Sequence, residues 1–346
     1  MRGDVSNTAI ALWRANGGPS GSVVAEAFAV GGNNRVMKLV PADGSAPVVA
    51  KHYFRGGDRD RLGSEWCFLR HAVQRGVKSV PRPIACDPEA GIGLYEFIAG
   101  RRIGRDEVGE GEVLAAVEFV RAVNAARSGD AAADQLPAAG DAGFSVSEHL
   151  TITEARFARF GSVSGGSDVD AQARQLIREL ETFWSELKRA VVAQAAAEGV
   201  DLDHEIPVRE RLISPSDFGF HNIIRREDGR LAFLDFEYAG WDDVAQLVCD
   251  FFLQPAVPVG LHLLAPFVAA LIGEGPEAAP ARSRIRLLSR VFGVRWCCIM
   301  LNPFAPEAAR RGQFADPESA HDQRKRAQLA KARRAFEQLK EARWPI

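Results

Sequence analysis

The chain has 346 residues, 47% of them apolar and 25% charged, with a formal net charge of −2. That length can bury a sizeable core in one large domain or in two lobes, and the balance is that of an ordinary soluble globular protein. A charge so near zero gives no electrostatic case for nucleic acid or an anionic membrane surface. The longest largely apolar stretch, residues 261–272, contains His262 and Pro266 and is too short to span a bilayer. The first residues lack the charged-then-apolar pattern of a signal peptide. Cys67, Cys86, Cys249, Cys297 and Cys298 show no Cys-x-x-Cys spacing and lie in largely apolar surroundings. They read as buried free thiols of a reducing compartment, which makes the expected location cytoplasmic.

In chain order, residues 1–22 carry weak signals, with a Gly- and Pro-containing loop at 17–21. Residues 23–30 and 36–40 are predicted strands around the turn Gly31-Gly32-Asn33-Asn34-Arg35. Glycines there would let backbone approach a phosphate closely, yet the same turn is an ordinary hairpin turn, and taken alone it reads as the hairpin. The pattern is neither a Walker loop nor a dinucleotide fingerprint. After a turn at Asp43-Gly44, residues 47–54 (PVVAKHYF) form a third predicted strand. Lys51 interrupts its apolar run, and a buried ammonium is costly, so its head either snorkels to water or meets an anion. A helix from about Asp60 follows, with Leu62, Trp66 and Leu69 on one face; it also carries Glu65. Two short strands, 84–86 and 92–97, flank a turn at 87–91.

From Gly111 the pattern turns helical, with Val113, Val117, Val120 and Asn124 on a 3.6 period. Residues 129–142 read as a surface connection and 161–167 as a Gly/Ser-rich break. The strongest helical signal runs from about 170 to 197, where one apolar stripe marks a core helix with no chemical role. Beyond Pro255 the chain is helical again, with 285–300 largely buried, and Trp296 and Asn302 are candidates for the border of a binding pocket. The tail, 321–343, is rich in Lys and Arg. Its stripe of Leu329, Ala332, Phe336 and Leu339 predicts a basic amphipathic helix docked on the rest, not a nucleic-acid or membrane element.

The most informative stretch is 214–243, SPSDFGFHNIIRREDGRLAFLDFEYAGWDD. Two apolar runs around Asp228-Gly229 read as loop, strand, tight turn, strand, loop. Such a hairpin holds Asp217 and Asn222, five apart, at a fixed distance from Asp235. Phosphoryl transfer needs this set: a carboxylate to orient or deprotonate an attacking hydroxyl, and an Asn and a second Asp to hold Mg²⁺ against phosphates. Any one of the three alone is a common turn residue, and only the joint spacing is specific. Asp217 is the expected catalytic residue, and Asn222 and Asp235 are the expected metal ligands. Asp243 reads as a helix cap, Asp242 is open, and His221 reads as a loop histidine packed for support.

This stretch resembles the aminoglycoside phosphotransferase and choline kinase-like family, relatives of the protein kinases. The family pattern is His-x-Asp-x-x-x-x-Asn, a hairpin, then an Asp opening a metal-binding loop. Here Pro215 stands where the family has His, and Glu237 where protein kinases place Gly after Asp-Phe. The resemblance covers about residues 23–255 and implies an α+β, two-lobed protein-kinase-like fold. Residues 1–97 would be an antiparallel-sheet, nucleotide-binding N-terminal lobe, and 98–346 a mostly helical C-terminal lobe with the catalytic and metal loops and the acceptor site. It further implies ATP as co-substrate with Mg²⁺, with Gly31, Gly32, Asn33 and Asn34 over the phosphates. Lys51 would contact the phosphates and pair with Glu65, and backbone from Glu96 to Ile98 would bond the adenine.

The implied reaction is transfer of the γ-phosphate of ATP to a hydroxyl of a sugar, amino alcohol or aminoglycoside-like acceptor. The expected partners are that small molecule and no nucleic acid or membrane, with the protein a monomer or homodimer. No Ala-Pro-Glu segment follows, which argues against a protein kinase. Pro215 and Glu237 feed an alternative, a catalytically silent nucleotide-binding scaffold or regulator. Retention of Asp217, Asn222 and Asp235 weighs against it.

Overall fold

The structure is a computed structural model that describes residues 2–30, 34–56, 59–125, 135–161, 167–305, 314, 321–341 and 344. Short, mostly apolar runs build an antiparallel sheet of five strands: β1 (Val23–Val30), β2 (Arg35–Pro41), β3 (Val48–His52), β4 (Pro83–Asp87) and β5 (Ile92–Glu96). Their spatial order is β1-β2-β3-β5-β4. The period of two is legible on β3, where Val48 and Ala50 are buried with Leu39 and Leu94 of the neighbouring strands. The helix α1 (Arg2–Ala15) covers that face through Ala9 and Trp13, one turn apart. Its own apolar stripe is sparse, so the sheet face it covers is what holds it helical, and local pattern alone is too weak to predict it.

Lys51 points to the opposite face, in register with Val36 and Gly93. There it meets α2 (Arg61–Gln74), whose first turn is capped by Asp60 accepting the Gly63 amide at 2.8 Å. The remainder is mostly helical: α3 (Glu110–Val123), α4 (Val146–Ala158), α5 (Asp168–Ala197), α6 (Val244–Leu253), α7 (Leu264–Ile272), α8 (Ala279–Met300) and α9 (His321–Glu341). Buried over most of its length, α8 packs against α4, α5, α6 and α9. Gly293 permits the last of these contacts, because a Cβ there would come within 2.4 Å of Leu339 Cδ1. The stripe of Leu329, Ala332, Phe336 and Leu339 is the buried face of α9, and Lys325 ties it to Asp170 on α5 at 2.8 Å. No described helix is long and apolar enough to cross a membrane. All five cysteines are free thiols; Cys249, Cys297 and Cys298 are buried, while Cys67 and Cys86 are only half-buried.

Two short ladders position the central stretch. β6 (Arg101–Arg102) pairs with β8 (Ile223–Arg225), which pairs with β9 (Leu231–Phe233), and β7 (Leu212–Ser214) pairs with β10 (Gly240–Asp242). Asp217 therefore follows β7, Asn222 precedes β8 and Asp235 follows β9. A phenylalanine cluster lies beneath them. Phe119 of α3 stacks on Phe233 with ring centres 4.0 Å apart and also meets Phe218 and Phe236, while Phe236 stacks on Phe68 of α2 at 4.4 Å. Aromatic truncations at such sites cost about 3–5 kcal/mol. Phe119→Ala is expected to lower the unfolding free energy by about that much in a denaturant titration, with Phe119→Leu milder. A loss under about 1 kcal/mol for the alanine variant would show that the cluster does not support the loops.

Candidate active site

Backbone strain marks the site. Ser216 (φ 49°), Asp217 (φ 37°) and Asp235 (φ 68°) adopt the left-handed region, and Asp141 (φ 53°) is the one other non-glycine to do so among the described residues. Side chains disfavour that region, Asp less than most, and such conformations persist only where the surroundings impose them.

The turn at Asp235 aims its carboxylate at the five-stranded sheet. Lys51 Nζ lies 2.8 Å from Asp235 Oδ1 and 2.8 Å from Glu65 Oε1. Glu65 is buried and also accepts the Tyr53 hydroxyl at 2.7 Å, which meets the Tyr95 hydroxyl at 2.8 Å. Burial pulls the Lys51 ammonium down, but the charges of Asp235 and Glu65 outweigh it and hold its pKa above the ordinary value. For Glu65 burial wins, and its pKa is raised despite Lys51. For Asp235, burial raises and Lys51 lowers, with the net shift downward. The sequence-level pairing of Lys51 with Glu65 is thus present as a contact, and Asp235 joins it.

Asp217 is 39% exposed, with Oδ1 3.2 Å from His221 Nε2. Asn222 Nδ2 donates to the Asp217 carbonyl oxygen at 3.1 Å and, more weakly, to Oδ2 at 3.4 Å. Burial would depress the His221 imidazole, but the Asp217 hydrogen bond and the charges of Asp217 and Asp235 raise it above its ordinary 6.5. His221 is therefore a partner of Asp217 and not mere packing. It sits four residues after Asp217 in a short 3₁₀ turn, and no spacing rule would have singled it out.

Asn222 and Asp235 present the donors that the Mg²⁺ implied by the family would take. With its amide nitrogen on Asp217, Asn222 has its Oδ1 left to accept, and Asp235 offers a carboxylate 39% exposed. Both are hard oxygens of the kind Mg²⁺ takes. Among the described residues no three His, Cys, Asp or Glu side chains gather as a metal cage, and Mg²⁺ needs none, since phosphates and water supply most of its ligands. The residues fit the ion.

The remaining expectations divide. Gly31, Gly32 and Asn33 lie outside the described residues. Asn34 is buried and its side chain is committed elsewhere, Nδ2 donating to Glu237 Oε2 at 2.6 Å. The Glu96 amide donates to the Arg82 carbonyl at 2.9 Å inside the sheet, so it is no free donor; the Ile98 amide makes no backbone bond among the described residues. Asp243 caps α6 through the Ala245 amide at 3.1 Å. Asp242 is fully buried, and burial followed by the charges of Asp250 and Asp243 holds its pKa well above the ordinary value.

A cavity of about 1170 Å³ opens beside Asp217, and Trp296 and Asn302 stand on its wall. Asp217 is the one predicted catalytic, metal or nucleotide residue that lines it. Sequence reading missed the arginines of this wall, Arg59, Arg61, Arg156, Arg159 and Arg295. They come from three distant segments, around the start of α2, around the end of α4 and on α8, and nothing local marks such arginines as sharing a cavity.

The profile of APH, the phosphotransferase enzyme family, matches residues 24–253, more than half of the chain. No curated protein sequence matches it. Among solved structures the chain is similar to a choline kinase from Cryptosporidium parvum Iowa II, with a TM-score of 0.60 at 11% identity, covering 96% of this chain and 97% of that one. It is also similar to a choline kinase from Streptococcus pneumoniae, with a TM-score of 0.55 at 14% identity over 93% and 95% of the two chains. A third is a spectinomycin phosphotransferase in complex with ADP and spectinomycin, with a TM-score of 0.54 at 11% identity over 91% and 93%. At these identities the likeness is one of fold, the α+β, two-lobed, protein-kinase-like fold that the sequence led us to expect. The family match over residues 24–253 goes further: this chain is a member of the phosphotransferase enzyme family.

Proposed function

We propose that the protein transfers the γ-phosphate of ATP, with Mg²⁺, to a hydroxyl of a small-molecule acceptor held in the cavity beside Asp217. The observation that carries this reading is the convergence of Lys51, Glu65 and Asp235 on one ion cluster, with Asp217 and Asn222 joined by hydrogen bonds. In this reading residues 1–97 bind the nucleotide and 98–346 bring the catalytic and metal loops and the acceptor site. Gly31, Gly32 and Asn33, with the backbone of Asn34, cover the phosphates. The adenine contact falls to the Ile98 amide, because that of Glu96 is already bonded. Choline and spectinomycin, for which the similar solved structures are named, are the starting points for a screen, together with sugars. A cytoplasmic setting supplies both ATP and Mg²⁺.

Each residue then has a physical task. Asn222 and Asp235 would hold Mg²⁺, which when bound neutralises charge on the phosphates. Lys51 anchors the phosphates, and Glu65 keeps its ammonium charged and in place. Asp217 takes the proton of the acceptor hydroxyl as that oxygen bonds to the γ-phosphorus. The bond from the γ-phosphorus to the β–γ bridging oxygen breaks, and ADP leaves with the electron pair. His221 positions the Asp217 carboxylate through its 3.2 Å contact.

Calorimetric titration with ATP, with and without Mg²⁺, is the direct check. Binding should depend on Mg²⁺ in the wild type and weaken roughly tenfold or more in Asp235→Asn; no binding of ATP under either condition would sink the reading. Asp217→Asn should keep nucleotide affinity and lose on the order of 10²–10⁴ in turnover, measured as ADP release with an acceptor. His221 has a raised folded-state pKa, so its charged form stabilises the fold fully below about pH 6.5, and that contribution fades as pH rises through the folded value. The stability deficit of His221→Gln in denaturant titrations should accordingly be largest in acid and shrink towards neutral and alkaline pH.

A further inference from the structure

The wall of the acceptor cavity has more free cation than free anion to offer. Of its carboxylates, only Asp217 is left for chemistry. Asp60 is engaged in capping α2, and Asp141 is paired with Arg156. Asp250 accepts the Trp296 indole N–H at 2.8 Å; burial pushes its pKa up to about 6, which leaves it mostly ionised at neutral pH, and its charge is opposed by that of Arg295.

Of the arginines, Arg156 is paired with Asp141 and Arg61 lies 3.8 Å from Glu237, which leaves Arg159 and Arg59 without a carboxylate at ion-pair distance among the described residues. Arg159, at the end of α4, is exposed and makes no ion pair among the described residues. Arg59 donates to three backbone carbonyls, those of Glu237, Ala138 and Ala239, each at 3.2 Å. Those bonds use three of its five N–H donors on uncharged acceptors, and the Glu237 and Asp242 carboxylates act on its charge without forming an ion pair with it among the described residues. Arg295 places its N–H groups on uncharged acceptors, among them Thr153 Oγ1 and Gln246 Oε1, while the nearby Asp250 carboxylate offsets its charge.

One aromatic ring of the wall, that of Tyr238, is also taken. The guanidinium carbons of Arg59 and Arg61 each stand 5.6 Å from the centre of the Tyr238 ring, where an ammonium ligand would have to stack. An amino alcohol or aminoglycoside entering here would meet guanidinium groups on the ring and no free carboxylate except the proposed base.

We propose that the acceptor is an anion, a small hydroxyl compound whose carboxylate or phosphate group pairs with Arg159 and Arg59 while its hydroxyl meets Asp217. Guanidinium forks match both groups bidentately. The inference rests on the phosphoryl-transfer reading of Asp217 and narrows its acceptor to hydroxy acids and sugar acids or phosphates.

The test offers the enzyme ATP and Mg²⁺ with hydroxyl compounds of three charge classes and scores ADP release. Hydroxy acids and sugar phosphates form two separate anionic arms, neutral sugars and polyols a third, and choline, ethanolamine and aminoglycosides a fourth. The best anion is expected to exceed every neutral and cationic member by about tenfold or more in kcat/KM, and its arm tells carboxylate from phosphate. Arg159→Glu should raise KM for that anion by roughly tenfold to a hundredfold with a much smaller change in kcat, and Arg159→Lys should recover part of the loss. The thermal midpoint of Arg159→Glu should match the wild type, because the side chain is exposed. Preferred turnover of a neutral or cationic member, or an anion KM untouched by Arg159→Glu, overturns the inference. Calorimetric ATP binding reports the nucleotide site separately, so these outcomes leave that site standing.

Discussion

The ammonium of Lys51 is the constraint on which the site depends. It sits on the middle strand of the sheet, only 12% exposed, and a charge in that position is tolerable only with carboxylates at contact distance. Glu65 on α2 and Asp235 after β9 supply them, so a single buried cluster joins the sheet, a helix and the loop that follows the hairpin. Removal of Lys51 would leave the buried Glu65 carboxylate without its counter-charge, a far larger penalty than the net worth of the pair. The apolar supports run parallel to the ionic ones, since Phe236, next to Asp235, stacks on Phe68 of the same helix that carries Glu65.

The two departures from the family pattern each meet a local answer. Where a Gly would follow Asp-Phe, the buried Glu237 accepts from Asn34 at 2.6 Å and lies 3.8 Å from Arg61 Nε, which fastens the loop to the N-terminal part of the chain. Arg59 adds two hydrogen bonds to the backbone of the same loop, at Glu237 and Ala239. A flexible hinge residue has been exchanged for an anchor. Pro215 deprives Asp217 of a histidine two residues before it, and His221 contacts the carboxylate from four residues after. These compensations favour a working site over a silent one.

Catalytic and recognition parts obey different physics here. The ion cluster and hairpin are closed networks in which each charge has an internal partner. The cavity beside Asp217 leaves Arg59 and Arg159 without a carboxylate at ion-pair distance among the described residues, as a surface does when its counter-ion is to arrive from outside. A shared fold sets the first arrangement, while the second is free to vary with substrate, which is why kinship in fold does not name an acceptor.

The sequence by itself determined whatever has a short period or a local turn. Short, mostly apolar runs at 23–30 and 47–54 mark the strands, Asp228-Gly229 marks the hairpin, and the stripes at 170–197 and 329–339 mark helices that bury those same faces. The spacing of Asp217, Asn222 and Asp235 was legible for the same reason, because one hairpin carries all three. Tertiary structure alone decided the helical state of residues 2–15, the partnership of His221 with Asp217, the commitment of Asn34 to Glu237 and the arginine wall. Each of these depends on groups brought together by packing, up to 203 positions apart for Asn34 and Glu237. Local propensity and periodicity encode how a segment folds, whereas proximity across the chain arises only when the buried faces find one another.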